Sequence, residues 1–343
     1  MKRALVTGGC GFIGSNLVFE LVKQGWQVDV VDDMSNGHLE LLEGLNIRVL
    51  MNGSFYTAYK MQDLERKQDE VLIIQDDFSN DNVLNGVFQG CYDVIFHQAA
   101  IPRVSYSVEQ PWHTTDVNIS KTVKLFEAAR GAVERIVFAS SSSVYGGADK
   151  LPTKETTQKN PKSPYAWQKS AIEDYAKLSG ELYNQDIVCL RYFNVFGPGQ
   201  YGDSPYSTAV SAWCHAIKNN LPLRSDGDGT QSRDMCYIDN VVSANILAAE
   251  ADMSFKGECY NIACGDRTTN KAILNYLINV TLGKVVVNNA PWREGDVMHT
   301  QADVSKAKKD FGYEPLVQFW DGLEKTREWW GPRIVNIDKP EDK

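Results

Sequence analysis

Tyr165 and Lys169 stand four residues apart in a segment with helical patterning, so a phenol and an ammonium share one helix face about one turn apart. Such a pair can take up and release a proton. Ser141 lies within the run Ser140 to Ser143, which closes a β-rich stretch, and a hydroxyl donor beside a phenolic base is what proton transfer from an alcohol requires. Gly8, Gly11 and Gly14 follow the apolar run at 3–7 and open a helix pattern, the context in which a glycine trio signals a dinucleotide site. Either motif alone is common, on solvent-facing helices or in turns. Together they point to proton transfer coupled to hydride transfer, which is redox chemistry at a carbon bearing a hydroxyl group.

For Tyr165 to serve as a base near neutral pH its pKa has to fall from ~10 by about 3 units, roughly 4 kcal/mol at about 1.36 kcal/mol per unit. A Lys169 ammonium ~6 Å away contributes about 2.8 kcal/mol at an effective dielectric of ~20. Lys169 alone therefore falls short, and the positive charge of an oxidised nicotinamide is expected to supply the rest.

Glycines at 8, 11 and 14 let the backbone turn tightly and approach a pyrophosphate, whose charge then sits at the helix N-terminus that includes Phe12 and Ile13. Asp32 ends the second predicted strand, where a carboxylate accepts hydrogen bonds from the adenosine ribose. A 2′-phosphate would meet like charge there, so NAD is expected rather than NADP. Asp33 is either a second cofactor contact or a solvated neighbour.

The elements that must position these residues alternate between short β-rich runs and helical stretches. Strands are predicted at 3–7, 27–32, 71–75, 93–97, 135–140 and 186–192, and helices at 15–24, 112–130 and 165–184. Several of the strands are almost wholly apolar, as interior strands of a buried parallel sheet are. The expected fold class is α/β, a doubly wound parallel (Rossmann) sheet followed by a second, smaller mixed α/β substrate lobe. Residues 1–190 are expected to form the NAD-binding domain and 191–335 the substrate lobe, with some chain crossing back near 234–250 and a polar tail at 336–343. The 46–70 stretch reads as an irregular excursion with a short helix.

The formal net charge of -9 argues against a nucleic-acid surface, which needs a basic footprint. No apolar run approaches the ~18 residues of a membrane span. Seven cysteines without a Cys-x-x-Cys pair fit small buried thiols in a reducing cytoplasm.

With these residues assembled, the chain resembles the extended short-chain dehydrogenase/reductase family, and within it the NAD-dependent nucleotide-sugar epimerases. The resemblance runs from residue 2 to residue 330. It is carried by Thr7-Gly8-Gly9-Cys10-Gly11-Phe12-Ile13-Gly14, Asp77-Phe78, His97-Gln98-Ala99-Ala100, the serine run continuing into Val144-Tyr145-Gly146, and Tyr165 to Lys169. Further carriers are Arg191-Tyr192-Phe193-Asn194, Ser232-Arg233-Asp234 and Arg293-Glu294-Gly295-Asp296.

The resemblance implies Ser141, Tyr165 and Lys169 as catalytic residues and NAD as the cofactor. It implies Asp77 and Phe78 at the adenine, and Ala99, Asn118 and Lys169 near the nicotinamide ribose, with Tyr192 also on the cofactor. Asn194 is implied on the substrate phosphates or sugar, Arg233 and Arg293 as a diphosphate clamp, and Asp296 on the uridine ribose. Ser142, Ser143, Gln200 and Arg103 are implied around the substrate. No metal is implied. The partners expected are a UDP-sugar and a second copy of the chain, in a homodimer formed by helices near 112–131 and 165–184, with no nucleic acid and no membrane.

Dehydratases and decarboxylases of this family place Asp-Glu, or a single Glu, directly after the catalytic hydroxyl, where this chain has Ser142 and Ser143. The expected activity is therefore inversion at C4 of a UDP-sugar through a transient 4-keto sugar, in polysaccharide biosynthesis. Thr300 stands where relatives restricted to plain hexoses carry a tyrosine. It favours UDP-GlcNAc and UDP-GalNAc, alongside UDP-Glc and UDP-Gal. Arg103 could read a carboxylate, which keeps a UDP-glucuronate 4-epimerase as the alternative; a dehydratase or decarboxylase is a further one.

Overall fold

The segment Arg-Ala-Leu-Val-Thr buries four of its five residues and becomes an interior strand, β1 (Arg3–Thr7). In the computed structural model, which describes residues 1–51, 67, 69–102, 104–202, 208–281, 284–292 and 297–331, the chain turns at Gly8 with φ +68 and enters α1 (Phe12–Lys23). There follow β2 (Gln27–Asp32), β3 (Asn46–Met51), β4 (Glu70–Gln75), α2 (Asp81–Phe88) and β5 (Val94–His97). Next come α3 (Val104–Glu109), α4 (Pro111–Thr115), α5 (Thr122–Ala129), β6 (Arg135–Ser141), α6 (Pro164–Tyr183) and β7 (Ile187–Tyr192).

The eight-stranded sheet has the order β3-β4-β2-β1-β5-β6-β7, completed by the strand Cys259–Ile262. β1 pairs in parallel with both β2 and β5, so the order reverses at β1. That reversal opens the crevice in which doubly wound sheets bind ligands. Leu5, Ile95, Phe126 and Phe138 are among the fully buried core side chains.

The chain divides into two compact units. One comprises Met1–Val144, Pro161–Arg191 and Val242–Tyr260, and holds nearly all of the large sheet. The other comprises Tyr145–Asn160, Tyr192–Val241 and Asn261–Lys343. It is a mixed α/β assembly in which Ser232–Arg233 pairs antiparallel with Thr268–Thr269 and Val287–Ala290 runs parallel to Leu223–Asp226. Among the described residues no helix is long and apolar enough to cross a membrane.

Two expectations are corrected. Asn46–Met51 is not irregular but an edge strand, in register with β4 from Asn46↔Glu70 to Met51↔Gln75. Arg48 donates to Glu70 Oε1 at 3.0 Å, a cross-strand ion pair that holds that edge. The remainder of the expected excursion, 52–66 and 68, lies outside the described residues, as does the 336–343 tail. The helix predicted at 112–130 is interrupted by a π-helical turn, Asp116–Lys121, between α4 and α5. The wider turn coincides with an inward-facing Asn118, whose amide bonds both backbone groups of Ile101.

Candidate active site

Ser163 caps α6 by accepting from Ala166 N at 3.2 Å, and Pro164 occupies the first helical position, where a missing N–H costs nothing. The Tyr165 N–H, which has no intrahelical partner, is taken by the buried Ser107 Oγ at 3.1 Å. Tyr165 is thus fixed at the start of a 20-residue helix, with Lys169 one turn further on.

Both side chains face the end of β6. The Tyr165 and Ser141 hydroxyls are hydrogen-bonded. Lys169 Nζ donates to the Ala139 carbonyl at 2.7 Å and stands 5.9 Å from the centroid of the Tyr165 ring. The structure therefore brings Ser141, Tyr165 and Lys169 together at the carboxyl end of a central strand. The electrostatic consequence differs from the one expected from the sequence. Burial pushes the Tyr165 phenol up to about 12 despite the Ser141 bond, and pulls Lys169 down to about 7 against the opposing pull of the Glu173 carboxylate. The charge of the lysine is legible in the sequence, whereas the desolvation of the phenol, the larger effect here, is not. Further positive charge is needed before Tyr165 can act as a base.

The loop after β1 supplies a cradle that fits a dinucleotide. A Cβ on Gly8 would lie 2.8 Å from Ala99 N, and one on Gly14 only 2.2 Å from Gly8 O. Backbone therefore packs on backbone, and the turn closes without side chains. Gly11 is the N-cap of α1 and no side chain caps that helix. Its first-turn amides, at Phe12, Ile13 and Gly14, point to where an anion would sit. At the end of β2, Asp32 is buried and accepts from Cys10 N and Met34 N, both at 2.9 Å. Burial raises its pKa against those two hydrogen bonds. Asp33 is exposed and turns back to accept from Ser35 N at 2.8 Å.

Asp77 carries an interaction the sequence did not reveal, accepting from Lys121 Nζ at 2.6 Å. Burial pulls its carboxyl up, but the bonds from Lys121 and Ser79 outweigh that and lower it. Phe78 packs edge-on against His97, with centroids 4.9 Å apart. The Ala99 N–H donates to Thr7 Oγ1. Asn118 gives its remaining donor capacity to Gln168 Oε1 at 2.8 Å, so it pins the segment after β5 to α6. Ser142 opens a 3₁₀ turn, Ser142–Tyr145, and Ser143 donates its N–H to Ser141 Oγ at 3.2 Å. Ser143 Oγ is buried without a hydrogen-bond partner.

The second unit holds Tyr192, expected on the cofactor, and the expected substrate residues Asn194, Gln200, Arg233 and Thr300. Tyr192 is buried at the end of β7. Asn194, with φ +30, donates to Asp234 O at 2.8 Å and to Thr300 Oγ1 at 3.2 Å. Thr300 Oγ1 also accepts from Asp234 N at 3.2 Å. Arg233 Nη1 is anchored on the carbonyls of Ser232 and Met298 at 3.1 and 3.2 Å. The Gln200 amide is occupied within the unit, donating to Val195 O at 3.0 Å and accepting from Thr208 Oγ1 at 2.9 Å. Arg103, Arg293 and Asp296 lie outside the described residues.

Sequence reading missed several residues that organise these groups. Asp234 is fully buried and accepts from the backbone of Cys264, Gly265 and Ala302 at 3.0 to 3.1 Å. Gln168 is fully buried and donates to Thr114 and Thr115 at 3.0 Å. Their partners are distant in sequence, so spacing carries no trace of them. Glu173, one turn after Lys169, was findable by helical period.

Comparison with known proteins gives a consistent picture. Residues 4–263 match the family described as the NAD dependent epimerase/dehydratase family. A UDP-glucose 4-epimerase of Mycolicibacterium smegmatis is 31% identical over 332 residues, covering 96% of this chain and 98% of that one. A UDP-glucuronate 4-epimerase of Thermodesulfobacterium geofontis is also 31% identical, over 96% of each chain. Among solved structures, a UDP-N-acetylglucosamine 4-epimerase from Methanobrevibacter ruminantium M1, in complex with UDP-N-acetylmuramic acid, superposes with a TM-score of 0.83. It is 33% identical over 96% of this chain and 98% of its own.

Proposed function

The chain belongs to the NAD-dependent epimerase/dehydratase family, and from that premise we propose that it is a UDP-sugar 4-epimerase acting on UDP-GlcNAc and UDP-GalNAc, with UDP-Glc and UDP-Gal as further substrates. The observation that carries the general reaction is the Ser141, Tyr165 and Lys169 group at the end of β6, with no carboxylate at 142 or 143. Gly8, Gly11, Gly14 and Asp32 would hold the coenzyme, with Phe12, Ile13, Asp33, Asp77, Phe78, Ala99, Asn118 and Tyr192 completing its surroundings. When bound, NAD supplies a reversible two-electron acceptor and a positive charge.

The protein's own part is proton handling. Tyr165 takes the proton of the C4 hydroxyl and later returns it, Ser141 orients that hydroxyl, and the Lys169 charge stabilises the phenolate. Ser142 and Ser143, which lack an acid for a second bond cleavage, leave inversion as the outcome. Asn194, Gln200, Arg233 and Thr300, together with Arg103, Arg293 and Asp296, are assigned to the nucleotide sugar.

The small Thr300 side chain supports the acetamido preference. A glucuronate substrate is the second reading, favoured by the equal identity to the Thermodesulfobacterium geofontis enzyme. The experiment that separates them is NMR of the purified protein incubated in turn with UDP-GlcNAc, UDP-Glc and UDP-GlcA, following the C4 configuration. Inversion of UDP-GlcNAc supports the proposal, and inversion of UDP-GlcA alone replaces it with the second reading.

The reading includes a homodimer. α3 and α4 pack on α6, and these helices expose Val104, Val108, Trp112, Trp167, Leu178 and Leu182. On α6 the last three fall within about 60° of one another at ~100° per residue, so they form one apolar stripe. An exposed apolar surface of this kind suits a second copy of the same helices.

A further inference from the structure

The end of β6 is held by three side chains of α6 spaced one turn apart. Tyr165 bonds the Ser141 hydroxyl, Lys169 donates to Ala139 O at 2.7 Å, and Ser140 Oγ donates to Glu173 Oε1 at 2.6 Å. Glu173 is 2% exposed, and its carboxylate receives both prongs of Arg191, Nε to Oε1 at 2.8 Å and Nη2 to Oε2 at 2.7 Å. Arg191, on β7, is 4% exposed. An ion pair this deep adds little net stability, because desolvation offsets the attraction. What it borders is the proton-transfer group.

We propose that Glu173 is a positioning residue of that group: clamped by Arg191, it fixes the strand end carrying Ser140 and Ser141 and keeps Lys169 charged beside Tyr165. The groups facing Lys169 come from four elements. α6 contributes Tyr165 and Glu173. β6 contributes the Ala139 carbonyl and the Phe138 ring, 4.7 Å from Nζ. β7 contributes Cys189 and β5 contributes His97, while Arg191 of β7 is paired with Glu173. Hydrogen bonding to Cys259 and burial hold the Cys189 thiol protonated, and burial keeps His97 neutral. Among these described groups Glu173 is the anion, and it opposes the burial that pulls Lys169 down to about 7. Without it the ammonium is lost at lower pH.

The assay of this inference rests on the 4-epimerase reading, so a second readout is independent of turnover: NMR titration of Lys169 in protein carrying lysine labelled at Cε. In Glu173→Gln, which removes the carboxylate charge and leaves Arg191 in place, Lys169 is expected to titrate about one unit lower. The alkaline limb of kcat moves down with it, and KM for the sugar stays within about threefold. In Ser140→Ala the charge remains, so the limb stays put while kcat falls roughly tenfold through loss of the strand-end contact. If Lys169 titrates in Glu173→Gln where it does in the wild type, or if Ser140→Ala retains full kcat, the proposal is overturned. Should Glu173→Gln not fold, Glu173→Asp decides, since its shorter reach is expected to lower kcat roughly tenfold and wild-type kcat there overturns the proposal. Absence of turnover in the wild type would instead refute the epimerase reading, leaving the Lys169 titration to judge this inference.

Discussion

Gly14 packs so closely beneath Gly8 that a Cβ on Gly14 would stand 2.2 Å from the Gly8 carbonyl oxygen. The contact fixes the turn between β1 and α1, so Gly14→Ala is expected to lose bound coenzyme. Gly11→Ala meets only Gly8 O, at 3.3 Å, a contact that can relax. The check is dinucleotide content released from the purified variants. Retention in Gly14→Ala at the wild-type level would contradict the cradle.

His97 has Nδ1 on Thr7 Oγ1 at 2.6 Å and Nε2 on Thr122 Oγ1 at 3.0 Å. Burial, assisted by the Lys169 charge, pulls its pKa from 6.5 to about 3. The folded protein thus binds a proton at His97 more weakly than the unfolded chain does. Its contribution is intact above about 6.5 and is lost as pH falls toward about 3. At about 1.36 kcal/mol per unit the loss reaches roughly 4–5 kcal/mol. Calorimetry across pH 4–7 is expected to show a falling Tm that is flatter in His97→Gln, and equal slopes would assign the acid sensitivity elsewhere.

Thr300 Oγ1 receives bonds from both Asn194 and Asp234, so replacing it changes more than volume. Thr300→Ser keeps the acceptor and is expected to keep both activities. Thr300→Tyr is expected to lower kcat/KM for acetamido sugars by about tenfold or more relative to plain hexoses, a difference of roughly 1.4 kcal/mol. Acetamido turnover untouched in Thr300→Tyr would contradict the acetamido preference assigned to Thr300.

Leu178 and Leu182 lie about one helical turn apart on the exposed stripe of α6. Leu178→Glu/Leu182→Glu places charge where an apolar contact is proposed, and sedimentation is expected to report a monomer against a wild-type dimer. A monomeric wild type would remove the homodimer from the account.

The bounds of β1 and β2 could be read from the sequence because apolar runs there stop at Gly8 and at Asp32-Asp33. β3 could not. Its polar first residue, Asn46, the charged Arg48 within it and the long segment that follows mask a six-residue strand whose partner, β4, is contributed from beyond that segment. At the site, Tyr165 and Lys169 announce themselves by helical spacing, whereas Asn118 and Gln168 meet across 50 residues of sequence and only the fold joins them. The phenol's environment was hidden for another reason. A charge at a known spacing can be computed from sequence, but the burial that raises Tyr165 to about 12 belongs to the packed helix and strand.

The central claim is that Tyr165 carries the proton during inversion at C4. Steady-state turnover of UDP-GlcNAc by Tyr165→Phe, with bound coenzyme measured in the same preparation, tests it most directly. An unchanged coenzyme content and a kcat lowered about 10²- to 10⁴-fold are expected. Inversion at the wild-type rate by this variant would contradict the claim.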